Sequence, residues 1–171
     1  NYAFEWKNYT VEKRCKILEE FAEELEINFK EIIEICVKET GKTIKNSVAE
    51  IREAIDFCRY YSEKTRKIFK ETQLEGPTGE KNTYKLKGKG LTFAISPWNF
   101  PVAIFIGQLV AGLVTGNVVF AKPAEQSCYI SNFIIKLLFK AGLPNKAIAL
   151  VLGRGKIIGD RVLEEEALKN I

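Results

Sequence analysis

Three short stretches of this chain carry residue types whose spacing can do chemistry. They are Ser96-Pro97-Trp98-Asn99-Phe100-Pro101, Lys122-Pro123-Ala124-Glu125-Gln126 and Gly153-Arg154-Gly155-Lys156-Ile157-Ile158-Gly159. Asn99 has a neutral amide that can donate a hydrogen bond to negative charge developing on a carbonyl oxygen. Its position just before Pro101 equally suits a helix cap. Glu125 offers a carboxylate to the hydroxyls of a nucleotide ribose, and Lys122 can reach the same sugar. An exposed Lys and Glu three residues apart also fit an ordinary surface. Trp98 can line a pocket or simply pack. The third stretch reads G-x-G-x-x-x-G, which departs from the dinucleotide fingerprint. Gly153 and Gly155 there fit a phosphate-binding turn or a tight strand-to-helix connection.

Such residues need a scaffold, and the second half of the chain supplies one. Residues 91–95, 118–121 and 147–152 are apolar strand candidates. They alternate with helices expected at 101–115, 127–140 and from Lys156 onward. Proline in its first turn opens the first of these helices, and Ser127 is the expected cap of the second. Short joins between alternating strands and helices predict right-handed crossovers and a parallel sheet covered on both faces. Ligands of such sheets bind beyond the carboxyl ends of the strands, where helix N-termini present amide groups. All three stretches fall there.

The first part of the chain reads as helices. Thr10 is the expected cap of one bearing Val11, Cys15, Leu18, Ala22 and Leu25 on a single face. Asn28 and Glu31 are spaced as a capping box for a second, which carries Ile32, Ile35, Cys36 and Glu39 and stops at Gly41. A third is expected over 46–69, with Val48, Ile51, Ile55 and Cys58 on its apolar side. Over 73–90, Gly and Pro break the pattern around a strand candidate at 84–87. Lys85, Lys87 and Lys89 alternate there and would share an exposed face.

Composition narrows the function classes. At 171 residues and 46% hydrophobic, the chain can bury a core. No apolar run is long enough for a transmembrane segment, and the first residues lack a signal-peptide pattern. The net charge of +4 comes from interleaved Lys and Glu, which describes a solvated surface and no nucleic-acid partner. With no His, a Ser-His or Cys-His pair is excluded. Cys15, Cys36, Cys58 and Cys128 lack metal-ligand spacing, so no metal site is expected. They read as reduced thiols in a cytoplasmic protein, the first three on apolar stripes. The chain has no Met either, so Asn1 is not an initiator and the sequence reads as a processed or truncated product.

The order and intervals of Ser96 to Pro101, Gly116-Asn117 and Lys122 to Gln126 resemble the aldehyde dehydrogenase superfamily. Glu39-Thr40-Gly41-Lys42-Thr43 and Glu50-Ile51-Arg52-Glu53-Ala54-Ile55-Asp56-Phe57 are similar to its amino-terminal helices. Ala103 to Gln108 and Leu152-Gly153-Arg154-Gly155 resemble the dehydrogenase half of bacterial proline-utilisation enzymes, bifunctional flavoproteins that oxidise proline and then L-glutamate γ-semialdehyde.

The resemblance implies an α/β chain, with amino-terminal helices followed by the first half of a Rossmann-like parallel sheet. It divides the chain into a helical segment (1–72), a hairpin of oligomerisation type (73–90) and a partial NAD-binding segment (91–171). Asn99 matches the oxyanion-hole asparagine, and Lys122 and Glu125 match the pair on the adenosine ribose of NAD. Ser96, Pro97 and Trp98 match the segment beside the nicotinamide ribose, and Gly153 and Gly155 a turn beneath adenine and pyrophosphate. NAD is the implied cofactor, with FAD only in a separate proline dehydrogenase domain. A small aldehyde is the implied substrate, and the parent is expected to be a homo-oligomer. The family's attacking cysteine and water-activating glutamate belong to motifs beyond Ile171, and Cys128 does not match the nucleophile. The isolated chain is therefore expected to be inactive on L-glutamate γ-semialdehyde. Two alternatives stand beside this: a non-catalytic remnant that binds a nucleotide or partner, and a fragment of another aldehyde dehydrogenase.

Overall fold

In a computed structural model, which describes residues 2–164, four helices lead: α1 (Tyr2–Lys7), α2 (Val11–Ile27), α3 (Phe29–Thr40) and α4 (Ile44–Ile68). An antiparallel pair follows, β1 (Thr72–Leu74) and β2 (Asn82–Tyr84). The chain then alternates through β3 (Leu91–Ile95), α5 (Ala103–Val114), β4 (Val118–Lys122), α6 (Cys128–Lys140), β5 (Ile148–Leu150) and α7 (Gly155–Glu164). β3, β4 and β5 form a parallel sheet in that order, with Ile95 level with Lys122 and Ala121 level with Leu150. The parallel alternation is the one the apolar runs predict. Trp6, Leu18, Leu25, Ile32 and Ile51 of the helical part join Phe105, Leu109, Leu113, Ile130 and Ile134 in one buried cluster. The two parts thus share a core.

Local chemistry explains most boundaries. The Thr10 hydroxyl accepts from the Lys13 amide at 3.2 Å and starts α2, which buries Cys15, Leu18, Ala22 and Leu25 as expected. Thr43 does the same for the Asn46 amide at 3.3 Å, so α4 begins two residues before the expected 46. Val48 is only half-buried on that helix; Ser47, Glu50 and Ala54 take the inward positions with Ile51, Ile55 and Cys58.

Four expectations need correction. Asn28 does not cap α3, because its side-chain amide instead donates to the Glu24 carbonyl at 2.8 Å and so closes α2. Ser127 does not cap α6. Its hydroxyl donates to the Ala124 carbonyl across a 3-10 turn, and the amides of Tyr129 and Ile130 donate to the Glu39 carboxylate of α3 at 2.7 and 2.8 Å. Pro101 lies in a turn, and α5 starts at Ala103. The strand expected at 84–87 ends at Tyr84. Beyond it the chain runs against the end of α5 so closely that a Cβ on Gly88 would lie 2.7 Å from the Gly116 backbone. Lys85, Lys87 and Lys89 remain exposed. The apolar spacing does not mark α1, which is tied down by the Trp6 indole donating to the Leu113 carbonyl at 3.1 Å.

Among the described residues, no helix is long and apolar enough to cross a membrane, and no group of His, Cys, Asp and Glu could hold a metal ion.

This packing makes three outcomes testable. Glu39→Ala should destabilise the fold by about 1–2 kcal/mol, the cost of losing a helix cap, and by more than Ser127→Ala does. Urea denaturation of both variants checks the order. The second concerns the core thiols: burial pushes Cys36 and Cys58 from the ordinary 9.0 up to about 12. A raised folded-state value stabilises the fold fully below pH 9 and loses that contribution as pH climbs toward 12. The denaturation midpoint should therefore fall over that window, and less steeply in Cys36→Ala. Native alkylation with iodoacetamide at pH 8 should label Cys128 and spare the three buried thiols.

Candidate functional site

The site is built from three consecutive loops at the carboxyl ends of β3, β4 and β5. Two hydrogen bonds string them together. The Ser96 amide donates to the Lys122 carbonyl at 3.2 Å, which extends the β3–β4 ladder into the first two loops. The Gly155 amide donates to the Glu125 carboxylate at 3.0 Å, which joins the second loop to the third. The three stretches that the sequence singles out therefore form one continuous rim.

In the first loop Ser96 is buried, whereas Pro97, Trp98 and Asn99 are exposed. The Ser96 hydroxyl makes no hydrogen bond among the described residues despite its burial. Asn99 does not act as the cap of α5. That place belongs to Glu50 of α4, whose Oε2 accepts from the amides of Val102 and Ala103 at 3.0 and 3.1 Å. The Asn99 side chain forms no hydrogen bond among the described residues, so its amide stays available at the loop's outer edge. Its backbone is held instead: the Lys42 ammonium donates to the Asn99 carbonyl at 2.5 Å and lies 4.7 Å from the centre of the Phe100 ring. The same ammonium forms an ion pair with Glu50 Oε1.

The second loop keeps Lys122 almost fully buried at 5% exposure, with its ammonium donating to the Pro123 carbonyl at 2.8 Å. Lys122 therefore braces its own loop, and Glu125 presents the exposed carboxylate. Glu125 sits at the start of α7, where the helix dipole favours a negative charge. Gly153 makes the third turn possible. Its φ of 148° lies where side chains are disfavoured, and a Cβ there would meet Ile158 Cδ1 at 2.9 Å. A Cβ at Gly155 would meet nothing, so that residue contributes its amide rather than its lack of a side chain.

Cys128 opens α6 beside this rim, but it is not set up as a nucleophile. Burial, then the nearby Glu39 charge, pushes its thiol up, and the thiol faces the carbonyls of Glu125 and Ala124 at 3.4 and 3.7 Å. Activated thiols have lowered values and cationic neighbours.

The exposed carboxylate of Glu125 offers an acceptor and the glycine turn at 153–155 a close backbone approach, both of which suit a nucleotide's sugar and phosphates; the Ser96 hydroxyl is buried. Sequence reading missed Lys42 and Glu50. Glu50 was detectable as an acidic residue at the four-residue spacing of the buried Ala54 and Cys58, a position that apolar side chains otherwise hold.

Comparison with known proteins agrees with this architecture. The aldehyde dehydrogenase family profile matches residues 1–171. Bifunctional protein PutA of Salmonella typhimurium is 36% identical over the whole chain, which spans 12% of that relative's length. The 1-pyrroline-5-carboxylate dehydrogenase of Bacillus subtilis is 36% identical over 93% of the chain, and the match spans 31% of it. The crystal structure of PutA from Bdellovibrio bacteriovorus superposes with a TM-score of 0.91 at 36% identity, covering 95% of this chain and 17% of that one. A profile match across every residue, carried on this parallel fold, places the chain in the aldehyde dehydrogenase family.

Proposed function

We propose that this chain supplies the cofactor-binding rim and the oxyanion donor of an NAD-dependent dehydrogenase that oxidises L-glutamate γ-semialdehyde to L-glutamate in proline catabolism. The single observation that carries this reading is the capping of α5 by Glu50. It removes the structural reason for an asparagine at position 99 and leaves the amide unengaged at the mouth of a parallel sheet. Similarity to PutA and to 1-pyrroline-5-carboxylate dehydrogenases supports the choice of substrate. Four free thiols favour a cytoplasmic location. The exposed hairpin, with Leu74 and Tyr84 outward, favours a homo-oligomeric parent.

Each residue has a definite task in this reading. The Asn99 amide donates to the aldehyde oxygen as negative charge gathers on it, at a geometry fixed before the reaction begins. Glu125 accepts hydrogen bonds from the adenosine ribose hydroxyls while Gly155 holds the carboxylate in place. Lys122 stiffens the loop that carries Glu125. Ser96, Pro97 and Trp98 flank the nicotinamide ribose, and Gly153 with Gly155 lets the adenine and pyrophosphate approach the backbone. NAD supplies the hydride acceptor. The nucleophile is not assigned to Cys128, and the 171-residue chain by itself is proposed to be inactive; NADH production abolished by Cys128→Ser would overturn that.

Two substitutions, made in an enzyme of full family length that contains these residues, test the assignments. Asn99→Ala should lower kcat roughly a hundred- to thousandfold, about 2.7–4 kcal/mol, with NAD affinity nearly unchanged. A loss confined to stability would return Asn99 to a structural role. Glu125→Gln should narrow the preference for NAD over NADP, because the carboxylate repels the extra phosphate. At about 4 Å that repulsion is roughly 1 kcal/mol in water and about 4 at an intermediate dielectric. An unchanged ratio of catalytic efficiencies would remove Glu125 from the ribose.

A further inference from the structure

The loop that carries Asn99 is gripped from outside the sheet by two side chains of the helical segment. Lys42 lies in the turn between α3 and α4, and Glu50 two turns into α4. Glu50 is 2% exposed, and its two oxygens do different work. Oε2 accepts from the amides of Val102 and Ala103, and Oε1 pairs with the Lys42 ammonium. That ammonium, itself mostly buried, donates to the Asn99 carbonyl at 2.5 Å and rests against the Phe100 ring. The segment from Asn99 to Ala103 is therefore bracketed at both ends by one ion pair. The far side of the loop is fixed by the Ser96 amide on the Lys122 carbonyl.

We propose that Lys42 and Glu50 are positioning residues for the chemistry of Asn99: the ion pair holds the Asn99 peptide so that the side-chain amide lies where the aldehyde oxygen develops charge. This rests on the reading of Asn99 given above. Neither residue touches substrate or cofactor, and both act through the backbone of the loop. A lysine is suited to the task because one ammonium has three donors. The Asn99 carbonyl takes one of them, while the Glu50 carboxylate stands beside the same ammonium as its counter-charge and the Phe100 ring lies against it. A free loop could place the Asn99 amide only part of the time, and a misplacement of about 1 Å can cost roughly a hundredfold in rate.

The test is a double-mutant cycle in an enzyme of full family length, with L-glutamate γ-semialdehyde and NAD as reactants. Lys42→Met should lower kcat about 10- to 100-fold while the dissociation constant for NAD changes less than about twofold, the scale that loss of positioning produces. In an Asn99→Ala background the same substitution should lower kcat less than about twofold, because the group it positions is gone. Lys42→Arg, which keeps the charge and can still donate to both oxygens, should recover most of the rate. Because Lys42→Met strands a buried carboxylate at a cost that can unfold the chain, Lys42→Met/Glu50→Gln is the companion variant. It keeps an oxygen for the Val102 and Ala103 amides but removes the grip on Asn99, and it should show the same dependence on Asn99. The inference is overturned if folded Lys42→Met or the double variant keeps full kcat, or loses it equally with and without Asn99. If Asn99→Ala alone leaves kcat unchanged, the assignment of Asn99 fails first and the positioning role falls with it.

Discussion

A buried apolar helix cannot satisfy its own ends, and the structure is organised around meeting that need. α5 reads Ala-Ile-Phe-Ile-Gly-Gln-Leu-Val-Ala-Gly-Leu-Val and is buried along nearly its whole length. Its first amides and last carbonyls need partners, yet its sequence contains no capping side chain. The Thr115 hydroxyl just after the helix donates to the carbonyls of Ala111 and Gly112 at 2.8 and 3.0 Å, and the helical segment provides further partners at both ends. Glu50 accepts from the first amides, while the Arg14 guanidinium and the Trp6 indole donate to the carbonyls of Val114 and Leu113 at 2.8 and 3.1 Å. Carboxylate sits at the positive end of the helix dipole and guanidinium at the negative end. The same device recurs where Glu39 caps α6 and Glu125 caps α7. Every long helix flanking the sheet thus begins on a glutamate from elsewhere in the chain.

These caps couple the leading helices to the sheet more tightly than apolar contact alone would. Hydrophobic packing tolerates small slides, whereas two amides meeting one carboxylate fix α5 in position and angle. The cost of error is large: removing one partner of a buried ion pair typically costs about 3–5 kcal/mol, because the other charge is left without compensation. Glu50 meets this risk with three partners, the amides of Val102 and Ala103 and the ammonium of Lys42. Arg14 is buried against three carbonyls, those of Lys7, Tyr9 and Val114. It links α1, α2 and the end of α5 without any carboxylate.

What the sequence reveals and what it hides follow from the range of the interactions. The period of apolar residues is local, so the strands at β3 and β4 and the stripes of α2 and α4 are legible. A cap supplied by the next residue is legible at Thr10, whereas Thr43 obeys the same local rule but is passed over in the sequence, where the helix is expected only from 46. Caps supplied from a distance are not legible. Asn28 and Ser127 satisfy the local rule and do something else, because Glu24 and Glu39 offer better geometry. The site residues Asn99, Glu125 and Gly155 are legible as motifs at strand ends. Their connections are not, since the bond between Glu125 and Gly155 spans thirty positions and that between Lys42 and Asn99 spans fifty-seven. The only trace of the latter in the sequence is an acidic residue on an apolar stripe.

The loop after β3 shows why such distant anchors matter to chemistry. A preorganised donor lowers a barrier because no reorganisation is left for the moment of reaction, so its position must be fixed in advance. Exposed loop residues ordinarily meet that demand poorly, since ordering each backbone unit costs about 1–2 kcal/mol. Here the ordering comes from anchors at Ser96, at the Asn99 carbonyl and at the amides of Val102 and Ala103, all within eight residues. Pro97 removes further freedom. The anchors use only backbone groups and side chains from other elements. They leave the side chains of Trp98 and Asn99 outward and unengaged by hydrogen bonds among the described residues. A loop anchored through its own side chains would have nothing left to offer a ligand. Placing the anchoring charges on α4 and the stretch before it leaves the loop's own outward side chains without a structural task.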